Sequence, residues 1–500
     1  MPDTIKSEDD SMRDRPRLNI LFLASEADPL VKVGGLGDVA GTLPQFLRQI
    51  PASAGFPTLD VRLVLPFHPA IRQKMSGAQL LAEYTIPHSS GPLPASVYYT
   101  EINQVPVYLI AGGFIPEEGP IYSLDQRVDA QKYVFFSLAA MELPRVLDWP
   151  LDILHANDWH SALTPHLLNL RKPSDAFTQS SASLLTVHNL PFMGAGAEKV
   201  VAEFGIPPVH DPNLPVWSWQ IPLPMGLHAA DKIVAVSPTY AREILTPEFG
   251  CDLQGFLKTR RQALTGILNG LDTKSWDPVT DPDIPARFSR ENLAARAENK
   301  RSLLAEFNLQ SDPDIPLLIL IGRFDHQKGV DIALKGLKSV LDLPWQIIML
   351  GTGDPHLEAA AHQLEVDNPA RVRTALRFDA RLARRMYAGG DILLMPSRYE
   401  PCGLAQMIAM RYGCLPLARA TGGLNDTITD DPSGKTSTGF LFTTATPRAF
   451  ARRLTTALEQ YPDRPAWQTM QQRAMSLDFS WEKSAIDYAK IYLEIKEGRS

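Results

Sequence analysis

Lys32-Val-Gly-Gly-Leu-Gly-Asp38 puts three glycines behind a lysine, directly after an apolar run and ahead of a helical stretch. Glycine lets a backbone approach a phosphate closely, a helix start offers N–H donors to it, and the lysine adds a point charge. The spacing differs from the G-x-G-x-x-G dinucleotide fingerprint, which disfavours a dehydrogenase. Arg323 and Lys328, in Gly322-Arg-Phe-Asp-His-Gln-Lys-Gly-Val330, also leave an apolar run and enter a helix. One Arg and one Lys so placed can neutralise a diphosphate leaving group, supplying with Lys32 the charge that a metal supplies elsewhere. No metal ligand set is expected. Asp281-Pro-Asp283 and Asp312-Pro-Asp314 read as turns in Pro-rich linkers, and His155 and His160 lack a carboxylate cluster.

Three further segments carry polar chemistry. Glu400-Pro-Cys-Gly-Leu404 follows an apolar run, with the amides of Gly403 and Leu404 opening the next helix; Thr421-Gly-Gly-Leu424 is a second Gly-rich turn with free amides. Taken alone, Glu400 reads equally as an acid favoured at a helix start by the macrodipole. Asp158-Trp-His160 and His188-Asn189 end two more runs. An aromatic beside polar groups suits a sugar ring, while a single histidine there serves a structural role as readily.

The elements that must position these residues are short buried strands alternating with helices. Leu18–Ala24, Val61–Leu65, Val105–Ile110, Leu151–His155, Leu184–Val187 and Lys232–Val236 form one series, with a helix over Ala40–Gln49. A second series comprises Pro316–Gly322, Trp345–Leu350, Asp391–Met395 and Leu415–Ala418, with helices over Val330–Leu341 and Leu404–Tyr412. Such runs predict parallel sheets covered on both faces. The expected fold is therefore α/β, two doubly wound domains facing a cleft, with each motif at the carboxyl end of a strand, where ligands of such sheets bind.

The expected boundaries are a disordered tail at 1–17, a first domain at 18–270, an Asp/Pro-rich linker at 271–285 and a second domain at 286–478. A helix over Trp481–Lys496, within a 479–500 segment, is expected to cross back to the first domain. The 500 residues are 44% hydrophobic and 21% charged with a net charge of −7, which argues against nucleic acid or anionic lipid as a partner. Three scattered cysteines make no disulfide framework. Without a secretory signal or an apolar run of about 20 residues, a soluble cytoplasmic protein is expected.

From Leu18 to Lys496 the chain resembles the bacterial glycogen synthase and plant starch synthase family. The resemblance is carried by Lys32–Val39, His155-Ala-Asn-Asp-Trp-His160, Thr186-Val-His-Asn-Leu190, Ala235–Glu243, Leu268-Asn-Gly270 with Trp276, and Gln327-Lys-Gly329. Most specific is Pro396-Ser-Arg-Tyr-Glu-Pro-Cys-Gly-Leu404, followed by Thr421–Leu424. It implies Rossmann-like domains in the GT-B arrangement, retaining transfer from ADP-glucose to the non-reducing end of an α-1,4-glucan, no cofactor and no obligatory metal. It further implies catalytic roles for His188, Glu400, Asp158, Arg323 and Lys328. Donor contacts are implied for Lys32, Gly34, Gly35, Asn269, Phe378, Ser397, Cys402, Gly403, Leu404, Thr421, Gly422 and Gly423. Tyr122, Trp159 and His160 match acceptor-side or sugar-side positions.

Ile408 stands where many related transferases carry a ribose-binding glutamate, as is usual in the glycogen synthase branch. Ile221–Gly226 replaces a Lys-containing run, Val128-Asp-Ala130 a more polar pair, and Ala405 a threonine. Phe378 replaces a tyrosine that stacks on adenine, and stacking survives the loss of a hydroxyl. The rival readings are a GT-B enzyme with another nucleotide or a small acceptor, and a catalytically silent glucan-binding relative.

Overall fold

A computed structural model describes residues 16–75 and 77–498, and the chain divides into two compact units. Most of the tail expected over 1–17 lies outside the described residues, and Arg17 already begins a strand. Unit 1 comprises the chain to Val236, Ala241–Gly270 and Trp481 onward; unit 2 comprises Ser237–Tyr240 and Leu271–Ser480.

Unit 1 is built on nine strands: β1 (Arg17–Leu23), β2 (Thr58–Pro66), β3 (Gln79–Ile86), β4 (Leu93–Ile102), β5 (Val105–Gly112), β6 (Ile153–Asn157), β7 (Ala182–Val187), β8 (Lys232–Ala235) and β9 (Leu264–Gly266). Their order is β3-β4-β5-β2-β1-β6-β7-β8-β9. Ile20 at the centre of β1 lies opposite Val61 on one side and Ile153 on the other, both in parallel register. The chain runs outward from β1 in one direction and from β6 in the other, so the topological switch falls between the ends of β1 and β6. The sheet is not wholly parallel as expected: β3, β4 and β5 pair antiparallel. β3 alternates exposed and half-buried residues, so it lacks the continuous apolar run of a doubly covered strand. The helix after β1 begins at Gly35, inside the Gly-rich motif rather than at Ala40, and runs to Arg48. The C-terminal helix, Trp481–Glu497, joins the same core through Trp481, Tyr488 and Tyr492, beside Leu43 and Leu47. Gly270 is fixed by that helix, since a Cβ there would lie 2.6 Å from the Trp481 ring.

Unit 2 has six parallel strands: β10 (Leu317–Ile321), β11 (Gln346–Leu350), β12 (Val372–Ala375), β13 (Ile392–Met395), β14 (Leu415–Arg419) and β15 (Phe440–Phe442), in the order β12-β11-β10-β13-β14-β15. Its switch point lies between the ends of β10 and β13. The segment expected to be a linker is instead docked on this unit. Asp281 is buried and accepts hydrogen bonds from Arg384 at 2.9 Å and Tyr412 at 2.5 Å, so its carboxylate anchors what composition reads as a loose Asp/Pro turn.

Candidate functional site

At the switch point of unit 1 the chain leaves β1 through Ser25 and Glu26 into the Gly-rich segment. Glu26 is buried, and its carboxylate accepts the backbone N–H of Val33 and of Gly34, the latter at 3.1 Å. Two amides expected to be open to a phosphate are thus already engaged. Lys32 is half-exposed and pairs with Asp38 at 2.5 Å. A Cβ on Gly35 would meet nothing within 4 Å, so packing does not demand glycine there. Burial raises the pKa of both Glu26 and Asp38.

Across the switch, Asp158 directly follows β6 and has φ at 51°, a backbone conformation that non-glycine residues adopt rarely. Its Oδ1 accepts the N–H of His188 at 2.6 Å and of Asn189 at 3.2 Å, tying the ends of β6 and β7 together. Burial, reinforced by the nearby Glu26 charge, pushes the Asp158 carboxyl up to about 7. His188 donates Nε2–H to Asn157 Oδ1 at 3.0 Å, and burial lowers its pKa to about 3. Beside them is an aromatic cluster. The His160 ring lies 4.5 Å from Trp159, 4.6 Å from Tyr133 and 5.1 Å from Tyr122, and the Tyr122 hydroxyl meets Ser25 Oγ at 2.8 Å. His160 Nδ1 and Asn269 Oδ1 are buried without a protein partner. Unit 1 thus brings together Gly34, Asp158, His188, Tyr122, Trp159 and His160, and adds Glu26 and Tyr133, which sequence reasoning missed. Glu26 was findable as the first carboxylate after the strand at which the topology reverses.

His188 has a consequence for stability. Its pKa is lowered from 6.5 to about 3 by burial. The unfolded chain therefore takes up a proton below pH 6.5 that the native state refuses. Stability from this group is complete above pH 6.5 and is lost as pH falls toward 3. Between pH 6.5 and 5 the loss is about 2 kcal/mol. Urea unfolding of the parent and of His188→Gln at those two pH values should differ in acid sensitivity by about this amount, and identical pH dependence would contradict the buried neutral imidazole.

In unit 2, Glu400 follows β13 and is 5% exposed. Lys328 places its ammonium 2.6 Å and 2.9 Å from the two carboxylate oxygens, and Ser397 Oγ donates to Oε2 at 3.1 Å. Arg323 is more than half exposed and reaches Asp325 at 3.2 Å and Gln327 at 3.3 Å. The two Gly-rich turns are interlocked rather than open. The Gly423 N–H donates to the carbonyls of Glu400 and Pro401 at 3.1 Å and 3.2 Å, and Thr421 and Leu424 also spend their N–H groups on backbone carbonyls. The expectation of free amides at Thr421–Leu424 is corrected to that extent. Gly422 has φ at 45°, and a Cβ on it would fall 1.9 Å from the Glu400 carbonyl, so this glycine sets how near the two turns approach. Ser237, which clusters with this unit, donates to the Pro401 carbonyl at 2.6 Å. Cys402 is buried, Gln406 caps the Cys402 and Gly403 carbonyls at 3.0 Å and 2.9 Å, and Leu404 caps the helix Ala405–Arg411. Phe378, beyond β12, is 88% exposed and has its ring face free to stack. Among the described residues no group of three His, Cys, Asp or Glu converges as a metal-ligand set.

Two Rossmann-like units with these strand-end loops define a glycosyltransferase of the GT-B class. Residues 19–259 match the family described as starch synthase catalytic domain, and 304–473 match glycosyl transferases group 1. The chain is 40% identical to a glycogen synthase of Aromatoleum aromaticum, covering 97% of this chain and 98% of the relative. It is 35% identical to a glycogen synthase of Bacillus cereus, covering 96% and 100%. The catalytic domain of starch synthase IV from Arabidopsis thaliana, solved bound to ADP and acarbose, superimposes with a TM-score of 0.83 at 30% identity, over 96% of this chain and all of that one. The chain belongs to the glycogen and starch synthase family of glycosyltransferases. Among the described residues no helix is long and apolar enough to cross a membrane.

Proposed function

We propose that the protein elongates an α-1,4-glucan by moving glucose from ADP-glucose to its non-reducing end, with retention and without a metal. The observation that supports this most is the likeness, over 96% of the chain, to a starch synthase solved with ADP and acarbose. In this reading Lys32, Gly34, Gly35 and Asn269 meet the donor from unit 1. Phe378 stacks on adenine, while Ser397, Cys402, Gly403, Leu404, Thr421, Gly422 and Gly423 shape the unit 2 contact. Asp158, His188 and Glu400 hold the transferred glucose, and Tyr122, Trp159 and His160 line the acceptor side.

The acceptor hydroxyl attacks from the leaving-group face, and the departing phosphate takes its proton. Arg323 and Lys328 stabilise the charge that grows on ADP. Lysine has three N–H donors and Glu400 takes two, which leaves one for a phosphate oxygen. The neutral His188 adds no positive charge against the glucose. Water competes with the acceptor hydroxyl for the same anomeric carbon, so its exclusion limits hydrolysis.

The test is a comparison of ADP-glucose and UDP-glucose with glycogen as acceptor, with and without EDTA. ADP-glucose should be preferred in kcat/KM, since the exposed Phe378 ring offers a platform for a purine, and EDTA should change nothing. Equal donors would remove the donor assignment, and loss of turnover in EDTA the metal-free one. Gly35→Ala separates ligand approach from packing. With open space at its Cβ, the substitution should leave stability unchanged or raise it by up to about 1 kcal/mol. It should nevertheless raise the KM for ADP-glucose several-fold, and an unchanged KM would free Gly35 of a donor role.

A further inference from the structure

We propose that Glu26 is a positioning residue for glucosyl transfer, holding the Gly-rich segment through the Val33 and Gly34 amides. The inference rests on the reading of that segment as the donor loop. Glu26 lies 2% exposed at the end of β1, where the sheet topology reverses. Its carboxylate accepts both amides, one of Gly34's contacts being 3.1 Å and the other 3.2 Å. The neighbouring Ser25 Oγ meets the hydroxyl of Tyr122, a member of the aromatic cluster, at 2.8 Å. The adjacent glycines are shaped around the Glu26 carboxylate: a Cβ on Gly37 would lie 3.2 Å from Oε2, and one on Gly34 3.4 Å from Oε1.

The choice of residue is costly for the fold alone. A buried carboxylate is expensive unless it is paired with a cation, and the nearest lysine of the loop, Lys32, spends its charge on Asp38 instead. A neutral Asn or Ser caps loop amides without that cost. Glu26 also lies close enough to Asp158 to raise the latter's pKa, so the carboxyl that braces the donor loop shares an electrostatic environment with a group at the β6 end. One side chain therefore fixes the path of Val33 and Gly34 while adding its charge to the surroundings of the buried Asp158.

Hydrogen exchange across residues 30–38 and steady-state kinetics, run on the full-length parent, Glu26→Ala and Glu26→Gln, test this. Glu26→Ala should accelerate exchange of the Val33 and Gly34 amides by about tenfold or more. It should also lower kcat by about 30-fold or more with a smaller change in donor KM, because a donor loop displaced by about 1 Å can cost on the order of 10²-fold in rate. Glu26→Gln keeps an acceptor oxygen for both amides and should restore most of the protection and stay within about tenfold of the parent kcat. Unchanged loop exchange in Glu26→Ala overturns the proposal, as does kcat within threefold of the parent. So does equal loss in both variants accompanied by a collapse of the melting temperature, which would make Glu26 a brace for the whole unit. A parent without ADP-glucose turnover would defeat the donor reading, and loop exchange would still decide whether Glu26 holds the segment.

Discussion

Arg323→Ala should lower kcat by about 10²–10³ while leaving stability almost unchanged. The side chain is more than half exposed and its polar partners among the described residues are Asp325 and Gln327, so its removal costs the fold on the order of 1 kcal/mol or less. A surface cation of that kind would be silent in an assay. A cation aimed at the terminal phosphate of departing ADP would not, because charge grows there in the transition state and a preorganised donor helps it more than the ground state. Lys328→Ala should fall by a similar factor, but that variant also strips the buried Glu400 of its counter-charge. The exposed arginine is therefore the cleaner experiment. Donor KM should move less than kcat in both variants. The account fails if both keep a kcat near that of the parent.

Glu400→Gln should keep the fold and ADP affinity yet lose most turnover. The replacement is isosteric, and its oxygen can still accept from Lys328 or Ser397, the two groups that now bind the carboxylate. The interlock between the turns runs through the Glu400 carbonyl, which the substitution leaves in place. What changes is charge beside the transferred sugar and the hold on the Lys328 ammonium. If Glu400→Gln proves active, the residue reverts to an acid at a helix start that neutralises Lys328. Circular dichroism and ADP titration exclude a trivial loss of structure.

The strands that deliver these residues were legible because doubly covered parallel strands are continuous apolar runs. Leu317–Ile321 and Ile392–Met395 are such runs, and the loops that follow them carry Arg323, Lys328 and Glu400. β3 and β12 escaped for the opposite reason: Gln79–Ile86 is largely exposed, and Val372–Ala375 is short and interrupted by Arg373. The types of the site residues were legible from motif and spacing, but their partners were not. Nothing in Lys32–Asp38 says that Lys32 would turn to Asp38, or that Glu26 would occupy the Val33 and Gly34 amides. Nor does Thr421–Leu424 reveal that the Gly423 amide serves the carbonyls of the Glu400 turn. Such contacts depend on which strand ends the topology makes neighbours, and that order is not written in any one segment.

The central claim is transfer of glucose from ADP-glucose to a glucan end, and ADP release measured with and without glycogen tests it most directly. The account predicts that ADP release from ADP-glucose depends on glycogen. It should be matched one for one by glucose joined to the acceptor through bonds that an α-1,4-specific glucosidase removes. Release of ADP that is indifferent to glycogen, or that leaves glucose free in solution, would contradict it.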